Sequence, residues 1–210
     1  MHRISVWLVL LAVSMISISA QAGNRAEYLA WRTDVEQEEL LPRMAREGHL
    51  HAMIAMGNCL LTGQDGSQVC QFPSITTGFK YWERAVMSGH HNWLANDLLE
   101  MLLRGPASNR SGWQQDWNGI CRVAQYVRTH KQLATLGSVQ RSGVGLCYLS
   151  DYALPRKDLT FGLDILKAEA NRGMKDAAVI LADIYEQGLY GVSQHLPKAR
   201  VWRARSRKMK

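Results

Sequence analysis

One spacing of apolar residues recurs four times along the chain, and each copy closes on glycine. It reads Ala52-x3-Met56-Gly57-x2-Leu60-x2-Gly63, then Leu94-x3-Leu98-Leu99-x2-Leu102-x2-Gly105. It returns as Gln132-x3-Leu136-Gly137-x2-Gln140-x2-Gly143 and last as Ala177-x3-Leu181-Ala182-x2-Tyr185-x2-Gly188. The first, fifth, sixth and ninth residues of this frame share one stripe of a helix with a 3.6-residue period. A small residue at the sixth place (Gly57, Gly137, Ala182) lets a second helix come close. The closing glycine suits the left-handed conformation that ends a helix.

A second helix is predicted after each frame. It covers Thr77 to a stop at Gly89, roughly Trp113 to Arg128, Leu159 to Asn171 with a stop at Gly173, and Pro197 onward. Proline is well placed in a first helical turn. A further helix, about Arg25 to Arg46 and ending at Gly48, precedes the first frame as half a unit. The closing glycines lie 42, 38 and 45 residues apart, a separation typical of stacked helical repeats. The pattern predicts an all-α, right-handed α-solenoid of about four and a half helical hairpins, because no unit can bury its apolar face without a neighbour.

The last copy carries a resemblance. Ala177, Leu181-Ala182, Tyr185, Gly188, Tyr190-Gly191-Val192, Lys198-Ala199 and Trp202 resemble the Sel-1-like repeat, a tetratricopeptide-like helical hairpin. The first copy is a fair match with a long insertion, Gln64 to Ser74, and the middle two are degenerate. The place of the family's helix-capping aspartate holds His195, and its Leu-Gly pair is Leu181-Ala182. The resemblance implies a repeat domain over residues 23–205. It also implies that the first helix of each hairpin lines the concave side.

Frame positions off the apolar stripe then form the partner-binding face. These are His51 and Asn58 with Leu61, Trp93 and Glu100 with Leu103, Lys131, Ser138 and Arg141, and Asp176, Asp183 and Glu186. The face grades from neutral through basic to acidic, which would orient a partner of complementary charge.

The first 22 residues read differently. Arg3, the apolar run Ile4–Ile18 and Ala20-Gln21-Ala22 have the order of a secretory signal cut after Ala22. The run is shorter than the ~20 residues a spanning helix needs. An exported, periplasmic protein is therefore expected. In that setting the four cysteines, Cys59, Cys70, Cys121 and Cys147, read as disulfides. Cys59–Cys70 with Cys121–Cys147 is the sequential arrangement. Two other pairings exist, and Cys59 and Cys121 as free core residues is the alternative.

The net charge is +7, but residues 198–210 hold seven basic residues and no acid, so the basicity belongs to the end of the chain. A solvated helix end with a basic tail, 206–210, accounts for this; contact with an anionic membrane surface is a second reading, and nucleic acid is not expected in that compartment. No catalytic, phosphate-loop or metal-ligand spacing occurs. His49-x-His51 and His90-His91 sit at hairpin junctions, and Trp113 to Trp117 with Tyr126 reads as core. No cofactor and no metal are expected.

These features favour a non-catalytic periplasmic protein-binding protein. Within that class, exported Sel-1-like proteins of this size resemble immunity proteins that neutralise type VI secretion phospholipase effectors. The competing classes are a cell-envelope enzyme acting on β-lactams or peptidoglycan, and an envelope-associated scaffold.

Overall fold

The first frame forms the helix its stripe demands. A computed structural model describes residues 41–65, 68–69, 74–88, 92–105, 114–151 and 157–209. The chain divides into two compact units, up to Ala95 and from Asn96 onward. The signal-like segment, residues 25–40, Cys70, His90, His91 and Trp113 lie outside the described residues.

In the first unit, α1 (Leu41–Arg46) precedes α2 (Leu50–Thr62) and α3 (Ile75–Met87). Part of the insertion is a two-residue antiparallel ribbon, β1 (Gln64–Asp65) on β2 (Gln68–Val69), with Gln64 opposite Val69. Helices α2 and α3 meet where glycine stands. A Cβ on Gly57 would lie 1.8 Å from Trp82 Cδ1, and one on Gly78 would lie 3.1 Å from the Gly57 carbonyl oxygen. The indole is fixed in turn by its N–H, which donates to the Ile54 carbonyl at 3.2 Å. The small sixth frame residue is therefore the seat of a tryptophan.

Helix α4 (Asn92–Arg104) is followed by α5 (Trp117–Thr129), α6 (Ser138–Leu149), α7 (Leu159–Asn171), α8 (Lys175–Gln187) and α9 (Leu196–Lys208). Asp116 caps α5 by accepting from Gly119 N–H, and Asp158 caps α7 by accepting from Phe161 N–H, each at 3.0 Å. His195 occupies the cap of α9, and its Nδ1 accepts from Lys198 N–H at 3.2 Å. Helices α7, α8 and α9 enclose a core of Leu149, Leu166, Leu181, Ile184, Tyr185 and alanines. Burying each such large side chain stabilises by roughly 1.5–3 kcal/mol. Among the described residues the architecture is all-α apart from the ribbon, an α-solenoid type built of consecutive helical hairpins.

Five of the predicted stop glycines, Gly48, Gly63, Gly105, Gly173 and Gly188, have positive φ. Gly143 does not, and the third frame is out of register. Gly137 has extended backbone (φ −68°, ψ 164°) and caps α6 rather than lying within a helix. The helix then runs through Gly143 to Leu149. Its true frame is Gln140-x3-Val144-Gly145-x2-Tyr148, eight residues later, with Gly145 against Gly162. Leu136-Gly137 imitates the frame's central pair, but it belongs to the link that follows the 3-10 turn Leu133–Thr135. The helix predicted from Trp113 starts at Trp117, after its Asp116 cap.

Cys121 and Cys147 form a disulfide that ties α5 to α6, with Cα atoms 5.3 Å apart. Cys59 is also disulfide-bonded, and its expected partner Cys70 lies outside the described residues. No described helix is long and apolar enough to cross a membrane.

Candidate binding groove

In the second unit a groove of about 860 Å³ runs along α7. Its floor is apolar, made by Leu133 and Ala134 of the 3-10 turn and by Phe161, Ile165 and Ala168 on one face of α7. The turn reaches this position because Lys131 adopts a left-handed conformation, φ 56°, immediately after α5. That conformation is uncommon for a residue other than glycine. It reverses the chain before α6 begins.

Charged side chains close the groove at both ends. At one end Arg128 donates to Asp158 Oδ2 at 2.7 Å. The same guanidinium lies 4.0 Å from the centre of the Phe161 ring and 4.7 Å from that of Tyr148. Asp158 thus caps α7 and anchors Arg128 together. The Phe161 N–H, and then Arg128, hold its carboxyl below the usual aspartate range. Burial raises the Tyr148 phenol, against the lowering effect of Arg128.

At the other end Glu169 is fully buried. Arg141 reaches it from α6 through Nε at 2.6 Å and Nη2 at 3.2 Å, and Arg172 binds it one turn along α7. Arg141 also donates to the Leu136 carbonyl. Burial pushes the Glu169 carboxyl up, but hydrogen bonds from Arg141 and Ser138 and the charges of both arginines outweigh it and hold it below its ordinary value.

The predicted face is distributed differently. His51, Asn58 and Trp93 are half-buried residues of the first unit. Glu100 accepts from Gln140 Nε2 at 3.3 Å. Lys131 and Arg141 both line the groove, while Ser138 stands beside Arg141. Asp176 is exposed at the start of α8. Asp183 and Glu186 both receive Arg203 of α9, each at 2.6 Å. Those two acids therefore clamp a hairpin, and reversing them would set lysines against Arg203. Leu61 and Leu103, expected on the exposed face, are only 2% and 9% exposed. Each is core: Leu61 lies beside Gly78 and Leu103 beside Gly143.

Two aspects of the groove escape the frame. It lies along a second helix of a hairpin rather than a first, and its turn sits in the misregistered copy. One signal was available: Ile165-Leu166-x2-Glu169-Ala170 places a carboxylate on an apolar stripe, where a charge requires a partner. Among the described residues no three His, Cys, Asp or Glu side chains gather as metal ligands.

No family model and no curated protein matches the chain. Among the solved structures similar to it are two Sel1-type proteins. One is a Sel1 repeat protein from Oxalobacter formigenes, at 21% identity and TM-score 0.41, covering 80% of this chain and 60% of that one. The other is a protective antigen of uropathogenic Escherichia coli strains displaying an SLR fold, at 18% identity and TM-score 0.33, covering 81% of this chain and 40% of that one. The chain thus spans less than two thirds of either protein's length. By its own hairpins, their frame and their stop glycines, the chain has the fold of the Sel-1-like repeat proteins.

Proposed function

We propose that the chain is a non-catalytic protein-binding repeat protein whose partner docks in the groove along α7. The composition of the groove carries this reading. Its floor is apolar, and Asp158 and Glu169 are engaged by arginines, which leaves neither as an acid–base group. Four basic and three acidic side chains line it, and Lys131 is exposed. An apolar channel with an excess of positive charge suits a segment that pairs apolar anchors with acidic residues.

The finer reading is an immunity protein that acts in the periplasm against a type VI secretion phospholipase effector. Its support is the signal-like start of the chain, the buried Cys121–Cys147 bridge, which fits an oxidising compartment, and an apolar groove whose Asp158 and Glu169 are paired with arginines. Export is checked by intact mass: protein from the periplasmic fraction should lack residues 1–22, and a full-length membrane-retained species would refute it.

The groove is tested with Lys131→Glu combined with Ala134→Glu. Both positions are exposed, so the unfolding midpoint should stay at the parent value. Affinity for an effector encoded beside this gene, measured by calorimetry, should fall by more than about tenfold, because like charges set across an interface cost several kcal/mol. Protection of the cell should fall with it. Parent-like affinity in the double variant removes the groove from consideration. Failure of the parent protein to bind the effector removes the immunity reading.

A further inference from the structure

We propose that the outer face of α9 is a docking surface for an anionic phospholipid bilayer. The helix is held on its inner side by Ala199 and Ser206, each 4% exposed, and by Arg203 clamped between Asp183 and Glu186. Its opposite side presents Pro197, Val201, Ala204 and Lys208, all exposed and spaced four, three and four residues apart. That spacing is a single line along a helix. Val201 is 52% exposed and Leu196 46%, two of the three large apolar side chains so exposed among the described residues.

Cations flank this line, and Lys208 ends it. Lys198, Arg200, Arg205, Arg207 and Lys208 are all exposed and have no carboxylate partner among the described residues. Lys198 lies over the Tyr185 ring at 5.4 Å. Arg205 lies over Trp202 at 4.9 Å and donates to Asn171 Oδ1 at 2.9 Å. Between these two aromatics opens a recess of about 450 Å³.

The charge is one-sided, since residues 198–210 contain no acid. Lys198 and Arg205 border the recess, while Arg200, Arg207 and Lys208 spread around the rest of the solvent side of the helix. A rigid acidic partner would reach only some of them. A fluid layer of phosphates reaches all, with the long stems adjusting and Val201, on the outer line, touching the acyl boundary. Helices that carry four to eight such cations are drawn to anionic leaflets, each cation adding roughly fivefold to affinity. This surface is independent of the groove along α7.

The test is vesicle co-sedimentation of the full chain. One set of vesicles is phosphatidylcholine alone, and the other is phosphatidylcholine doped with phosphatidylglycerol. The parent should bind the anionic set only, and should be released by about 0.5 M NaCl, where charges are screened within a few ångströms. A hydrophobic leader would hold the protein on both sets alike, so the difference between sets reads α9. Arg200→Gln, Arg207→Gln and Lys208→Gln together should weaken anionic binding on the order of a hundredfold. Helical circular dichroism should persist, since all three side chains are exposed and none forms an ion pair or side-chain hydrogen bond among the described residues. Equal retention on both sets, retention on neither, salt-resistant binding, or unchanged binding of the triple variant would overturn the proposal. The salt series on the parent decides the matter even where the variant folds poorly.

Discussion

Glu169→Ala should be among the most damaging single substitutions in the second unit, costing about 3–5 kcal/mol. The carboxylate is fully buried and receives Arg141 from α6 and Arg172, the residue that follows α7. Its removal strands Arg141, whose side chain is only 17% exposed, with no counter-charge. Breaking a buried pair costs far more than an exposed pair contributes, because the remaining charge has lost water as well as its partner. Urea unfolding of parent and variant measures the effect, and a difference under about 1 kcal/mol, the scale of an exposed pair, would show that Glu169 is not the anchor described.

The same site predicts a pH dependence. The folded carboxyl titrates below its ordinary value near 4.5. Its contribution is therefore present in full above that value and is lost as the pH falls through the depressed one. Glu169→Gln should flatten that acid limb. An unaltered limb in the Gln variant would assign acid sensitivity to other carboxylates.

The second large effect belongs to the disulfide. Replacing Cys121 and Cys147 together by alanine should cost about 3–4 kcal/mol, from the entropy a cross-link of this span removes from the unfolded chain. The two cysteines are 26 residues apart in sequence and are at most 1% exposed. Denaturation of the oxidised parent, the oxidised variant and both after reduction separates this bridge from the one at Cys59. The oxidised parent should exceed the oxidised variant in unfolding free energy by that margin, and reduction should largely remove the difference between the two. Coincident midpoints for oxidised parent and variant would show that the bridge contributes nothing.

The frame made the hairpins legible in the sequence because it encodes local requirements. Gly63 and Gly188 must be left-handed to end a helix, and Gly57 must be small to admit Trp82. Each needs only a few neighbouring residues to be recognised. The third copy misled because Leu136-Gly137 satisfies the same short pattern for another reason, an extended glycine at the start of α6. The groove was harder to read, since its parts come from α5, a turn, α6 and α7. Arg128 and Asp158 are 30 residues apart, and no period links them. The pairing at the acidic end of the predicted face was hidden from the sequence for a related reason. Asp183 and Glu186 do point off the stripe, but Arg203 of the next helix meets them there.

The contact between Gly145 and Gly162 bears on what the groove can do. A Cβ on Gly162 would lie 2.7 Å from the Gly145 carbonyl oxygen, so α6 and α7 touch backbone to backbone. Side-chain interfaces can re-pack and let helices slip past one another; two backbones in contact have no such intermediate positions. Arg141 stands on one of these helices, and Phe161, Ile165 and Glu169 stand on the other. The spacing between them is therefore set before any ligand arrives. A docking segment meets a template already at its bound width, and it gives up less of its binding free energy to ordering the receptor.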